Sequence, residues 1–470
     1  MKTRAGLIAL LVTVSVAYAV AADWPGYLGP RRDGTSAETG LLRTWPKEGP
    51  TVLWTVPVGI GYGGPVVVGG KVYLLDRDDT VGDKLRCLDF ASGKELWSFT
   101  YEAPGKFDHP GSRTTPTVDG GNVYVSGPLG DLYCISTTTH KPVWNKNVWK
   151  EFGGGQLPRW ALTQNPLIYR NLVIVASQTS QTSVVAYDKL TGELKWKSPV
   201  LSGSAGYVSP SLVKVGGDDH LVMIMSSKGF GRSAGGGSVA GLDPLSGTVL
   251  WTYGNWQCGI PVPHAVDAGD GRILITGGYS AGAAMIKVHR AADGTYGNWQ
   301  CGIPVPHAVD AGEGRVLITG GYSAGAAMIK VHKAADGTYT VTELFKNVNF
   351  GAHTQPPVLY KDHFYAQYTI NERSDGLVCM TLDGQIKWKT GDDPSFNKGG
   401  AVLADGLLFS VDGNKLLYLI EPDPSGFKPL ASAELLEPGE NWAPIALADG
   451  KLLIRDQKNL KCLAVAQQGR

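Results

Sequence analysis

Nine side chains stand at the start of recurring proline-led β-runs and carry more chemistry than their small neighbours: Tyr62, Arg113, Trp160, Tyr207, His264, His307, His353, Lys398 and Trp442. If the runs are arranged about one axis, these residues converge on one mouth of a central channel. There they would form a cationic and aromatic lining able to contact a ligand or partner. His353, in Gly351-Ala352-His353-Thr354-Gln355-Pro356, and Arg113, in Gly111-Ser112-Arg113-Thr114-Thr115-Pro116, are the bulkiest polar groups among small ones. The plainer alternative is a solvated funnel lining, or a histidine bonded to backbone. His264 and His307 are copies of one another, so their pairing is no independent sign of zinc.

Other constellations are weaker. Asp76-Arg77-Asp78-Asp79 with Asp83 resembles a cation loop, but Arg77 intervenes and the spacing is not that of an EF-hand, so a surface loop is expected. The run Gly229 to Gly237 lacks the strand-to-helix setting and the Lys of a phosphate loop, and reads as a connection between strands. No Gly-x-Ser-x-Gly elbow stands at a strand-to-turn junction. No catalytic residue and no metal ligand is therefore assigned.

The elements that must position the nine residues are copies of one hairpin. Cys87-Leu88-Asp89-Phe90-Ala91-Ser92-Gly93-Lys94-Glu95-Leu96-Trp97 returns with Asp188, Gly192 and Trp196, and again with Asp243, Gly247 and Trp251. In this pattern Asp bonds the turn's own backbone, Gly accepts a left-handed conformation, and the second strand ends in Trp. Looser copies end in Trp144 and Trp388. Recurrence assigns these residues to turn formation and to packing between repeats, because such a unit must stack on copies of itself.

The run starts follow Pro65, Pro116, Pro166, Pro210, Pro263, Pro306, Pro356 and Pro444, with Ala401 in the remaining place, at intervals of 43 to 53 residues. Four strands per interval is the signature of a propeller blade. Val52-Leu53-Trp54-Thr55-Val56 is a closing strand without partners nearby, and the end of the chain lacks such a strand; the first strand should therefore complete the last blade. The segment from Trp24 to Thr35 reads as a strap across the outside of the fold. Residues 253–295 and 296–338 are tandem copies differing only at Asp270/Glu313, Ile273/Val316 and Arg290/Lys333. The strand matching Val341 to Phe345 is largely lost from the first copy. The expectation is an all-β, eight-bladed propeller of four-stranded blades with the extra unit strained or partly extruded; nine blades is the alternative.

Composition narrows the function classes. Of 470 residues, 43 are basic and 42 acidic, a net charge of +1 that offers no field for nucleic acid or an anionic surface. Lys2 and Arg4, the apolar run Ala5 to Val16, and small residues at Ala17, Ala19 and Ala21 form a secretory signal peptide over residues 1–21. A strap over 22–50 and the propeller over 51–470 should follow. No segment of the mature chain reaches membrane length. The protein is expected to be exported to the periplasm, cell envelope or medium, and monomeric. Cys87, Cys134, Cys379 and Cys462 sit in apolar strands where other copies have Ala186 and Gly241, which suits buried thiols better than cystines.

With Leu-Asp-x-x-(Ser/Thr)-Gly-x-x-x-Trp repeated around a ring, the chain resembles the pyrroloquinoline-quinone (PQQ) repeat propellers. Trp24-Pro25 through Gly29-Pro30 to Arg32-Asp33-Gly34 is similar to the start of the exported PQQ-binding-like or BamB-like members. The resemblance spans essentially the mature chain and implies one of two occupations. Quinoprotein dehydrogenases hold PQQ and calcium over the ring centre and oxidise alcohols or sugars, many with adjacent cysteines that this chain lacks. BamB-like members dock protein or peptide partners without a cofactor. The missing Cys-Cys pair and missing Cys-x-x-Cys-His favour a non-catalytic scaffold, with envelope assembly as the role the BamB-like members suggest.

Overall fold

The Asp-to-Gly hairpin closes the same way in each full copy. Asp89 Oδ1 accepts the Ser92 amide at 2.8 Å, Asp188 Oδ1 the Thr191 amide at 3.0 Å, and Asp243 Oδ1 the Ser246 amide at 2.9 Å. Gly93, Gly192 and Gly247 lie at φ of 71°, 72° and 71°, where a Cβ is penalised. Just behind each turn the ladder slips by one residue, as between Cys87 and Leu88. That bulge re-aims the outer strand.

The computed structural model describes residues 23–30, 33–227, 235–267, 269, 271–277, 282–290, 296–303, 307–320, 325–333, 339–370 and 373–467, some strands of the tandem copies by backbone alone. The signal-peptide assignment and most of the Gly229 to Gly237 run lie outside the described residues. The described chain forms nine four-stranded antiparallel sheets, the blades of a propeller. Their innermost strands, in order from blade 1 to blade 9, are Val66–Val68, Thr117–Asp119, Leu167–Tyr169, Ser211–Val215, Val266–Asp267, His307–Asp310, Val358–Tyr360, Ala401–Ala404 and Ala446–Ala448. Blade 9 takes its outermost strand, Val52–Pro57, from the start of the chain, paired with Asn459–Ala464.

The blade number corrects the expectation of eight. The first tandem copy is not extruded: Val266–Asp267, Arg272–Gly277, Gly282–Arg290 and Tyr296–Ile303 make a complete sheet. Its missing outer strand is recruited from the beginning of the second copy. Residues 253–260 and 296–303 share the sequence Tyr-Gly-Asn-Trp-Gln-Cys-Gly-Ile, yet only the second is a strand. In the first, the chain leaves the sheet after Tyr253 and buries Trp256 and Cys258 among residues of blades 4 and 5. An unpaired edge beside Gly282–Arg290 decides the second case, since tertiary context overrides strand preference.

Blades are locked by a tryptophan facing a small residue. Trp97 pairs across the ladder with Cys87, Trp144 with Cys134, Trp196 with Ala186, Trp251 with Gly241, Trp388 with Cys379 and Trp54 with Cys462. With nothing bulky opposite, five of these indoles reach the next blade, while Trp251 Nε1 donates to His220 Nδ1 of its own blade at 3.0 Å. Trp54 Nε1 donates to Phe90 O at 3.0 Å, Trp144 Nε1 to Lys189 O at 3.0 Å, and Trp388 Nε1 to Asp423 O at 2.8 Å. The hairpin glycines receive these rings: a Cβ on Gly93 would stand 2.5 Å from Trp54, and one on Gly192 2.6 Å from Trp144. Trp97 instead stacks on His140 of blade 2, with ring centroids 4.9 Å apart. Each buried ring withdraws about 150–250 Å² from water, roughly 4–6 kcal/mol before conformational entropy is counted.

The strap also departs from expectation. From Trp24 to Ser36 it lies along the inner edges of blades and not outside them. Trp24 exchanges backbone bonds with Val67 of blade 1 at 2.8 and 2.9 Å. Gly34 and Ser36 bond Leu403 of blade 8 at 3.0 and 2.9 Å. Trp24, 2% exposed, packs under Gly29. The inner edges of those strands carry amides and carbonyls that no neighbouring strand pairs, and the strap satisfies them.

Cys87, Cys134, Cys258, Cys379 and Cys462 are free and buried. Burial pushes the first, second and fourth thiols up to about 11 and the other two up to about 12. Native protein at pH 8 should therefore leave these five unmodified by a thiol reagent, and denaturant should expose them all; peptide mapping of the labelled sites checks this. Gly192→Val should destabilise by about 2–4 kcal/mol, combining the left-handed backbone with a clash against Trp144. Gly216→Ala, at φ 62° with open space around it, should cost only about 1 kcal/mol in the same denaturation series.

Candidate functional site

Proline at the strand starts of blades 1 to 4 leaves the residue before it to link neighbouring blades. Gly64 N donates to Thr115 Oγ1 at 3.3 Å, Thr115 N to Asn165 Oδ1 at 2.9 Å, and Asn165 N to Ser209 Oγ at 2.9 Å. This girdle runs around the channel from blade 1 to blade 4 and occupies the polar groups of its wall. It stops at Val262, whose side chain cannot accept a hydrogen bond and which stands 54% exposed.

Inside the girdle lies a cavity of about 980 Å³. Tyr62, Arg113, Trp160, Tyr207, His264, His353, Lys398 and Trp442 all line it. His307 opens the blade 6 inner strand opposite Thr319, and its side chain lies outside the described residues. The structure therefore brings eight of the nine sequence candidates to one space. It adds His109, Tyr27 and Asp33, which no repeat spacing marks. These sit in irregular segments, so only their nearness to Arg113 and to the Trp-Pro start could signal them.

The lining falls into two aromatic groups. Tyr62, His109 and Trp442 lie with ring centroids 5.8 to 6.2 Å apart. Glu440 Oε2 ties two of them, accepting from the Tyr62 hydroxyl at 2.9 Å and lying 3.2 Å from His109 Nδ1. Burial, then Glu440, pushes the Tyr62 phenol well above its ordinary range, so it remains a donor. Lys398 Nζ sits 4.7 Å from the Trp442 ring centroid, a cation–π contact. On the other side, Trp160 and Tyr207 lie 5.1 Å apart.

Arg113 is a brace between these groups. Its guanidinium donates to Trp160 O at 2.8 Å, Gly111 O at 2.8 Å and Asp108 O at 2.5 Å. Phe107 lies between it and Arg77, at 5.4 and 5.3 Å from the two guanidinium carbons. Burial lowers the Arg113 pKa, yet a guanidinium stays charged.

Arg77 belongs to the segment expected to be a surface loop; Asp78 does stand exposed at a hairpin tip, but for Asp76, Arg77 and Asp83 that expectation fails. Asp76, Arg77 and Asp83 are 1%, 1% and 0% exposed. Arg77 bonds Asp83 at 2.9 Å, Asp79 at 2.8 Å, Ala103 O at 2.5 Å and Gly105 O at 3.2 Å. Alternating carboxylates and arginine form an internal ion cluster under the rim, with burial lifting Asp83 to about 6 against the pull of Arg77. Among the described residues no group of three or more His, Cys, Asp or Glu side chains could hold a metal ion.

A family model described as outer membrane protein assembly factor BamB matches residues 82–257. BamB of Salmonella typhimurium is 32% identical over 108 residues, covering 21% of this chain and 26% of that protein. The dehydrogenase subunit of the quinone alcohol dehydrogenase of Acetobacter aceti is 26% identical over 211 residues, covering 41% and 27%. The chain thus spans only about a quarter of the length of these curated relatives. Among solved structures, the quinohemoprotein alcohol dehydrogenase of Comamonas testosteroni superposes with a TM-score of 0.56 at 13% identity, over 96% of this chain and 81% of that one. A europium-containing methanol dehydrogenase gives 0.55 at 13% identity, over 92% and 89%. The resemblance to PQQ-like propellers holds, on both its BamB-like and its quinoprotein side, and the solved structures support the fold.

Removing one partner from the buried cluster should be costly. Arg77→Met leaves Asp83 and Asp79 uncompensated and should destabilise by about 3–5 kcal/mol. Asp83→Asn leaves Arg77 still bonded to Asp79 and two carbonyls, so its loss in melting experiments should be smaller.

Proposed function

We propose that this chain is an exported, non-catalytic binding scaffold of the cell envelope whose central cavity receives a segment of a protein or peptide partner. One observation carries the reading: the aromatic faces of Tyr62, Trp160, Tyr207 and Trp442 line the space, while Thr115, Asn165 and Arg113 are engaged within the wall itself. Such a surface binds by ring contact and shape, as aromatic anchors do at protein interfaces. The partial similarity to BamB, an outer membrane protein assembly factor by name, supports the envelope setting.

The rival reading, a PQQ- and calcium-dependent oxidoreductase acting on alcohols or sugars, asks more of the cavity. Calcium takes about six to eight oxygen ligands, several of them carboxylates. The described residues do not converge in that way. Arg113, which could face an anionic quinone, is held by three carbonyls. The described residues thus offer the pair no assembled carboxylate set, which favours the scaffold reading.

Titration of the purified full chain with PQQ and Ca²⁺, followed by dye reduction with a panel of alcohols and sugars, separates the readings. The expected result is neither saturable cofactor binding nor turnover. Tight binding with turnover would overturn the scaffold.

A further inference from the structure

The strap shows how this channel holds polypeptide. Every innermost strand has a sheet neighbour on one side only, so its other edge faces the lumen. Between Trp24 and Ser36 the chain runs from the inner edge of blade 1 to that of blade 8, bonding Val67 and Leu403 backbone to backbone. Tyr27 reaches across to donate to Thr354 O at 3.2 Å. The strap therefore fills the lumen on the side of blades 8, 9 and 1. Space remains on the opposite side.

That space is bordered by the inner strands of the remaining blades. At blade 4 the edge is partly taken, because Lys214 N donates to Asp267 Oδ2 at 2.7 Å. Beyond it Val266, Val309 and Leu359 line the cavity from the innermost strands of blades 5, 6 and 7. Gln355, at the start of blade 7, lines the same space, and its buried Oε1 has no hydrogen-bond partner. A buried amide oxygen without a donor is costly, and this one is closed off in the wall, so an incoming N–H reaches it only if the Gln355 side chain turns toward the cavity.

We infer that the unfilled half of the lumen takes an extended peptide segment of a partner, which pairs its backbone with the inner edges of blades 5 to 7 as the strap pairs with blades 1 and 8. This is strand addition turned inward: main-chain bonds hold the segment, and side chains on one face meet Trp160 and Tyr207. The inference rests on the scaffold reading and adds the mode of recognition. The tandem duplication would then be functional, because blades 5 and 6 supply two of the three receiving edges.

The test uses a phage-displayed library of random decapeptides panned on the full chain. The best binder is resynthesised and measured by fluorescence polarisation in three forms: unmodified, N-methylated at odd positions, and N-methylated at even positions. Methylation removes alternate donors, and in an extended segment alternate amides face opposite edges. The expected result is a loss of about tenfold or more for one methylated form and little change for the other, as removal of two or more main-chain hydrogen bonds implies. Binding should also be weakened by Trp160→Ala and Tyr207→Ala in variants whose melting is unchanged. If those substitutions weaken binding while both methylated forms bind as the parent does, the scaffold reading stands and inward pairing is refuted. If no peptide binds, or binding ignores both substitutions, the scaffold reading fails as well.

Discussion

The placing of a small residue directly across the ladder from a tryptophan governs this ring. Cys87, Cys134, Ala186, Gly241, Cys379 and Cys462 each face an indole. A larger side chain there would prop the ring away from its sheet and out of reach of the next hairpin. The left-handed glycine on the receiving blade completes the arrangement, since only a residue without Cβ lets Trp54 or Trp144 approach so closely. Cysteine at four of these six places is thus explained by size, and its burial keeps the thiol protonated.

The tandem copies show how far such packing tolerates change. One eight-residue sequence is an ordered loop with buried Trp256 and Cys258 in its first appearance and an outer strand in its second. What differs is the neighbour, a sheet already completed by Val249–Tyr253 in one case and an open edge in the other. A ninth blade widens the ring, and the girdle of Thr115, Asn165 and Ser209 is not continued by Val262. Cavity shape therefore follows from the duplication as much as from the mouth residues.

Much of the architecture is legible in the sequence. The hairpin spacing marks the blades, the unpartnered Val52 to Val56 run marks the closure, and the proline series with Ala401 already marks nine starts. Eight blades is the local expectation because the first copy lacks its own outer strand, and no local pattern reveals that a following copy will lend one. The mouth residues declare themselves by their place ahead of each inner strand. His109, Tyr27 and Asp33 do not, because irregular segments have no period to read. Asp76-Arg77-Asp78-Asp79 misleads for a related reason: charge density suggests solvent, whereas Asp83, Ala103 and Gly105, which neutralise or accept from Arg77, are brought in by folding.

The seam at blade 9 joins Trp54 to Cys462 and so spans nearly the entire chain. A ring closed in this way cannot be finished from either end alone. During synthesis, eight blades can stack while Val52–Pro57 waits for the last residues to emerge, with Val52 and Leu53 carrying unpaired backbone in an apolar strand. Contacts of such long separation form late and slowly. The open intermediate is therefore the state most exposed to mispairing with other chains, and chaperones that shield a lone edge strand would matter more to this protein than its finished stability suggests.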